Sequence, residues 1–157
     1  MRVSIGSDHR GIHVKAKLVT LLRQMGHDVL DEGTHTNDSV DYPDIACTVG
    51  RKVSEGAVDR GILVCGTGIG MAIVANKFRG VRAAACYDEI SAEICRRHND
   101  VNVLCLSGDM LGERPIDKLV AIWLATEFEG GRHARRLRKI QEIESVDGDS
   151  ASSETGQ

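Results

Sequence analysis

A chain of 157 residues with 41% hydrophobic and 27% charged positions has the size of one ordinary domain and the composition of a folding, soluble protein. A formal charge of −3 and an aromatic content of only 3% exclude a polycationic surface that stacks bases, so no nucleic-acid partner is expected. No apolar run approaches the roughly 20 residues of a membrane helix, and the segment after Met1 turns polar within a few residues, so neither a membrane partner nor a signal peptide is expected.

Short β-branched runs alternate with stretches of helical periodicity, the pattern of an α/β fold with a parallel sheet wrapped by helices. The first strand is predicted at Arg2 to Gly6. A helix follows over Gly11 to Met25, where Ile12, Leu18, Val19 and Leu22 recur at helical spacing and Gly26 supplies the stop. Strand two is predicted at Asp28 to Asp31, and the next helix at Pro43 to Glu55, with Pro43 in its first turn. Gly61 to Cys65 forms strand three and Gly68 to Lys77 a helix. Strand four, Val81 to Ala84, leads into a helix over Asp88 to His98, and strand five is Val103 to Leu106. Helices over Pro115 to Glu127 and His133 to Ile143 complete a single domain, residues 1–144. The tail, 145–157, is small, polar and without apolar period, and is expected to be disordered.

The five cysteines, Cys47, Cys65, Cys86, Cys95 and Cys105, form no C-x-x-C pair and have no nearby paired histidines. Free thiols in a reducing cytoplasm are expected, and no structural metal.

In a doubly wound sheet, ligands bind where the carboxyl ends of strands enter loops. The sequence offers three such loops. The segment Cys65 to Gly70, "CGTGIG", puts a thiol at a strand tip before three alternate glycines and a helix. Bare backbone there can approach a ligand closely, and successive N–H groups suit an anion or a developing oxyanion and favour a cysteine thiolate. Met71 stands where a dinucleotide fingerprint needs glycine, and the Lys-Ser/Thr ending of a P-loop is missing. The alternative is a buried strand thiol before a tight turn. Asp8-His9 after strand one and His98-Asn99 before strand five add a carboxylate and two imidazoles. The three loops are expected to share one rim of the sheet, a grouping suited to proton transfer. Late in the chain, Arg132 and Arg136 stand at i and i+4 on one helix face, a pairing that suits a phosphate. The competing reading is a solvated basic face paired with the glutamates that follow.

The runs "GSDHRG" (Gly6 to Gly11), "DYPD" (Asp41 to Asp44), "GILVCGTGIGMAIVANKFRGVRAA" (Gly61 to Ala84), "RRHNDVNVL" (Arg96 to Leu104) and "EGGRHARR" (Glu129 to Arg136) resemble, in order and spacing, the ribose-5-phosphate isomerase B family, which includes the galactose-6-phosphate isomerase subunits. The resemblance implies a Rossmann-like three-layer αβα sandwich on a five-stranded parallel sheet. It implies a homodimer or tetramer with active sites shared between subunits, and aldose–ketose isomerisation of a phosphorylated sugar with no cofactor and no metal. By the same resemblance the base is Cys65, the ring-opening acid/base is His98, and Thr67 brings a hydroxyl near the reacting carbons. Gly66, Gly68, Ile69 and Gly70 belong to the anion hole, while Asp8, His9 and Asn99 contact sugar hydroxyls or phosphate. Arg132 and Arg136 match phosphate arginines contributed across the dimer interface. A glutamate used by another branch is replaced by Met71. Many members carry a phosphate-gripping arginine after strand five, where this chain has Asp109; Arg10 is the candidate replacement. Ribose 5-phosphate is the leading substrate, with a tetrose, allose or galactose phosphate as alternatives. A noncatalytic phosphosugar sensor is the reading from another class.

Overall fold

A computed structural model describes residues 1–110 and 115–151, with side chains as far as residue 145. The elements run β1 (Arg2–Ser7), α1 (Ile12–Gln24), β2 (Asp28–Asp31), α2 (Tyr42–Ser54), β3 (Arg60–Cys65), α3 (Ile69–Ala75), β4 (Ala83–Ala85), α4 (Glu89–Asn99), β5 (Val103–Ser107), α5 (Ile116–Ala125) and α6 (Arg132–Ala151). Every strand pairing is parallel, and the sheet order is β2-β1-β3-β5-β4. The expected five-stranded α/β sheet is present.

Side chains alternate between the faces of a strand, so a sheet covered on both sides needs apolar residues at every position. Val3, Ile5, Ile62, Val64, Leu104 and Leu106 turn towards α1, α4 and α5. Leu63, Cys65, Val103 and Cys105 turn the other way, towards α2 and α3. Three αβα layers result. Cys65 therefore belongs to the α2/α3 side of the sheet.

Most element ends differ from the sequence reading by one or two residues, and two of the departures have a visible cause. β4 begins two residues late because Val81 N–H closes a turn on the Phe78 carbonyl and Arg82 N–H is taken by the Asn102 side chain. Only at Ala83, clamped at both N–H and C=O by the Asn76 amide, does the ladder start. α6 extends past Ile143 to Ala151, into the segment expected to be disordered. The Glu144 carboxylate accepts from Gly80 N–H at 3.2 Å, which ties that part of the helix to the body. Residues 152–157 of the expected tail lie outside the described residues.

One buried cation fixes the loop beneath the first candidate site. Lys15 on α1 is 3% exposed and its Nζ reaches Asp31 Oδ1 at 2.5 Å and the Gly33 carbonyl at 2.7 Å. Gly33 in turn lies so close to the chain at Ser7 that a Cβ would stand 2.8 Å from Ser7 N. Replacing Lys15 by Met strands Asp31 and the carbonyl. The expected loss is about 3 kcal/mol of stability, read as a lower urea midpoint with an unchanged slope.

Candidate active site

β3 is central, and its register with β1 (Ser7↔Val64) and β5 (Cys65↔Ser107) puts the loops after all three strands side by side at the carboxyl rim. Cys65 ends the strand, 5% exposed, and its Sγ accepts the Gly68 N–H at 3.2 Å. Gly68 takes φ +80°, and a Cβ there would sit 3.1 Å from the Leu106 backbone, so only glycine lets the loop fold back on β5. The loop is held at several points. Ser107 Oγ donates to the Gly66 carbonyl at 2.6 Å, Gly108 N–H to the Cys65 carbonyl at 2.7 Å, and the Tyr87 hydroxyl to the Thr67 carbonyl at 2.8 Å. Ile69 N–H is engaged by Thr67 Oγ1 at 3.2 Å. The Tyr42 ring covers Gly70, with ring carbons 2.7 Å from where a Cβ would stand.

Asp8 is buried and accepts Arg10 N–H at 2.9 Å. His9 Nδ1 accepts Val40 N–H at 3.3 Å, which leaves the proton of the neutral ring on Nε2. Arg10, the candidate replacement for the missing phosphate arginine, is engaged: its Nε and Nη2 each lie 2.5 Å from Asp109 Oδ2. The pair roofs Gly66, whose Cβ would meet Asp109 Oδ2 at 3.0 Å and Arg10 Nε at 3.2 Å. Both side chains are more than a third exposed, so such a contact is worth at most about 1 kcal/mol. Met71 is fully buried and offers no base.

His98 and Asn99 do not join this rim, contrary to expectation. α4 runs back along the sheet, and the chain beyond it enters β5 at the amino rim, where Asn102 accepts Gly61 N–H. From Gly61 to Cys65 is four strand steps, so the two groups stand roughly 13 Å apart or more within one chain. The turn at the end of α4 is set by Asp100, whose φ is +47°. Arg82 at 2.9 Å and Arg96 at 2.8 Å grip its carboxylate.

A second group assembles there. The His98 and His133 rings stack with centroids 4.2 Å apart and planes 7° from parallel. Glu129 Oε2 lies 3.4 Å from His133 Nε2 and 4.0 Å from His98 Nε2, while Arg97 Nε holds Oε1 at 2.6 Å. That arginine contact keeps the Glu129 carboxyl below its ordinary range. Burial, then the neighbouring His98, lowers the His133 pKa. Arg132 and Arg136 are exposed in the first turns of α6 and, among the described residues, pair with no carboxylate. The reading of a basic face neutralised by following glutamates is not what the helix has. Ligand atoms of His98, Glu129 and His133 lie within 4.8 Å of one another. An imidazole binds a metal in its own plane, and two parallel planes share no such point, so this arrangement does not fit an ion.

Sequence reasoning missed Tyr42, Tyr87, Ser107, Glu129 and His133. Glu129 and His133 lie inside a run singled out only for its arginines, and Tyr42 inside a motif whose tyrosine was given no role; Tyr87 and Ser107 carry no local signal.

The family model described as Ribose/Galactose Isomerase matches residues 3–140. The chain belongs to the ribose/galactose isomerase family. Ribose-5-phosphate isomerase B of Escherichia coli is 42% identical over 91% of this chain and 96% of its own. D-erythrulose-4-phosphate isomerase of Pectobacterium atrosepticum is 40% identical over 89% and 93%. Among solved structures, Clostridium thermocellum ribose-5-phosphate isomerase B matches with a TM-score of 0.90 and 46% identity, covering 93% of this chain and 99% of its own. The Mycoplasma genitalium enzyme, solved with bound ribulose-5-phosphate, matches with a TM-score of 0.89 and 40% identity, covering 92% and 96%. The ribose/galactose isomerase described here is thus an enzyme of the isomerase class.

Gly68→Ala tests how tightly this isomerase depends on its loop. The strain at φ +80° and the 3.1 Å approach to Leu106 should displace the loop by an ångström or so. Turnover is expected to fall on the order of 100-fold, with the circular dichroism spectrum retained.

Proposed function

We propose that this protein interconverts ribose 5-phosphate and ribulose 5-phosphate through an enediolate, with Cys65 as base, in a homodimer or tetramer whose active sites are shared between subunits. The observation that carries the reading is the split of complementary groups. A thiol beneath a glycine loop stands at one rim of the sheet, and an imidazole with two arginines that pair with no carboxylate among the described residues stands at the other. A two-fold axis that sets one rim against the opposite rim of a second copy makes two complete sites at once. Exposed Ile69 and Ile73 on α3 and Ile90 and Ile94 on α4, the helices before and after edge strand β4, supply apolar surface for such a contact.

In this scheme His98 of one subunit assists opening of the furanose ring bound at the other's loop. Cys65, as thiolate, removes the C2 proton, and Thr67 lies beside the reacting carbons. Charge moves onto the carbonyl oxygen, where the Gly66–Gly70 backbone stabilises it; one such donor typically contributes about 3 kcal/mol in the transition state. Reprotonation at C1 yields the ketose. Asp8, His9 and Asn99 contact sugar hydroxyls or phosphate, and Arg132 with Arg136 grips the phosphate. Asp109 does not repel that phosphate as a bare carboxylate would, because Arg10 neutralises it. The same pair leaves the phosphate to the arginines of α6. The five cysteines are all free thiols, which suits work in the cytoplasm.

Cys65→Ser should lower kcat by about 10²–10⁴-fold with KM little changed, and normal turnover in that variant would refute the base assignment. Arg132→Ala should raise KM instead. Co-expressing Cys65→Ser with His98→Gln chains should restore activity that neither has alone, since each mixed dimer then holds one intact site. The relative named for D-erythrulose 4-phosphate makes a tetrose phosphate the second candidate substrate, so kcat/KM over a panel of phosphosugars decides between them. Exchange of the substrate C2 proton with solvent separates an isomerase from a sensor that only binds.

A further inference from the structure

A second pair of thiols lies on the other side of the sheet from Cys65. Cys86, just after β4, and Cys95, on α4, both belong to the core between the sheet and helices α1, α4 and α5. Their sulfurs are 3.8 Å apart, in hydrogen-bond contact, and Cys95 Sγ also lies 3.3 Å from the Ala92 carbonyl. Neither has a role in the isomerisation scheme above. A disulfide needs sulfurs about 2.0 Å apart, so closing this pair asks for a shift of under two ångströms. Sulfurs already in contact are suitably placed for it.

The pair is not sealed off. Cys95 lines a groove of about 640 Å³ between α6 and the edge of the sheet, whose other walls include Phe78, Ala84, Leu137 and Ile140. A groove of that size, lined by Lys77, Arg79 and Arg82 as well as apolar side chains, admits a small oxidant such as hydrogen peroxide. The two thiols also differ. Hydrogen bonds with Cys95 and Ser91 lower the Cys86 pKa, whereas the contact with Cys86, together with burial, raises that of Cys95. One thiol is thus the better nucleophile towards oxidant and the other is the resolving partner.

We propose that Cys86 and Cys95 form a reversible dithiol–disulfide site that hydrogen peroxide closes, and that closure slows catalysis by pulling on the glycine loop. Cys86 thiolate attacks one peroxide oxygen, giving a sulfenic acid and hydroxide. Cys95 sulfur then attacks the Cys86 sulfur; hydroxide leaves and takes up the Cys95 proton as water. Two thiols lose two electrons and two protons, and peroxide is reduced to two waters. The mechanical link is one residue long. Tyr87 follows Cys86, and its hydroxyl holds the Thr67 carbonyl at 2.8 Å. Drawing Cys86 towards α4 strains that hydrogen bond, and with it the loop that positions Cys65. The catalytic half of this inference rests on the proposed role of Cys65; the disulfide itself does not.

The test is peroxide titration of the folded full-length protein, followed by alkylation and non-reducing peptide mapping. The expected result is a loss of two hydrogens per chain, a cross-linked peptide joining Cys86 to Cys95, and its disappearance with dithiothreitol. Running the map in Cys65→Ser removes oxidation at that thiol from the picture. Isomerase turnover of the oxidised wild-type protein should fall several-fold and recover on reduction, while Cys95→Ser should keep its rate through mild oxidation. Alkylatable Cys86 and Cys95 after peroxide has already consumed Cys65 would overturn the site. A mapped disulfide with unchanged turnover would overturn the coupling to the loop. Should Cys95→Ser fail to fold, Cys86→Ser and the wild-type map decide the same question.

Discussion

The parallel pairing of β3 with β1 on one side and β5 on the other is the constraint from which the rest of the geometry follows. It brings three strand ends to one level, so the loops that leave them must share a small space. Gly68 resolves that crowding by turning left-handed against the Leu106 backbone, and its N–H comes to rest on the Cys65 sulfur. Strand alternation then decides which way the thiol faces. Leu63 and Cys65 point to α2 and α3, while Ile62 and Val64 point to the opposite layer.

The same polarity separates the His98 imidazole from the thiol. Helices that connect parallel strands run back along the sheet, so whatever lies at the end of α4 is delivered to the amino rim. His98 meets His133 and Glu129 there, and Arg97 holds the glutamate in place. A single chain thus holds two separate groups, one rich in backbone amides and the other in cationic side chains. That complementarity is what makes a composite site between copies the economical reading of the proposed assembly.

The roof over Gly66 also changes how the departure at position 109 is understood. A carboxylate in place of an arginine suggests repulsion of phosphate, yet Asp109 is bonded to Arg10 by two of the three guanidinium nitrogens. The local charge is cancelled. In the proposed scheme this rim contributes shape and hydrogen bonds around the reacting carbons, and attraction for the phosphate falls to Arg132 and Arg136.

The sequence by itself determined the order and type of the elements, because helical and strand periodicities are local and each run of apolar residues was long enough to declare itself. It also located Cys65 at a strand tip, since a thiol before alternate glycines is a pattern within six residues. The limits of β4 were less legible: Val81 looks like a strand residue but is used in a turn, and the Asn76 side chain starts the ladder at Ala83. Only the tertiary structure decided which loops meet. His98, expected on the rim of Cys65, stands at the opposite rim of the same chain, Arg10 meets Asp109 across ninety-nine positions, and Tyr87 reaches Thr67 through a hydroxyl that no spacing rule anticipates. Cys86 and Cys95 were two apolar-segment cysteines until the turn of α4 brought their sulfurs into contact. Contacts of that kind depend on how far strands are offset and which way helices return, and those are properties of the packed sheet rather than of any segment.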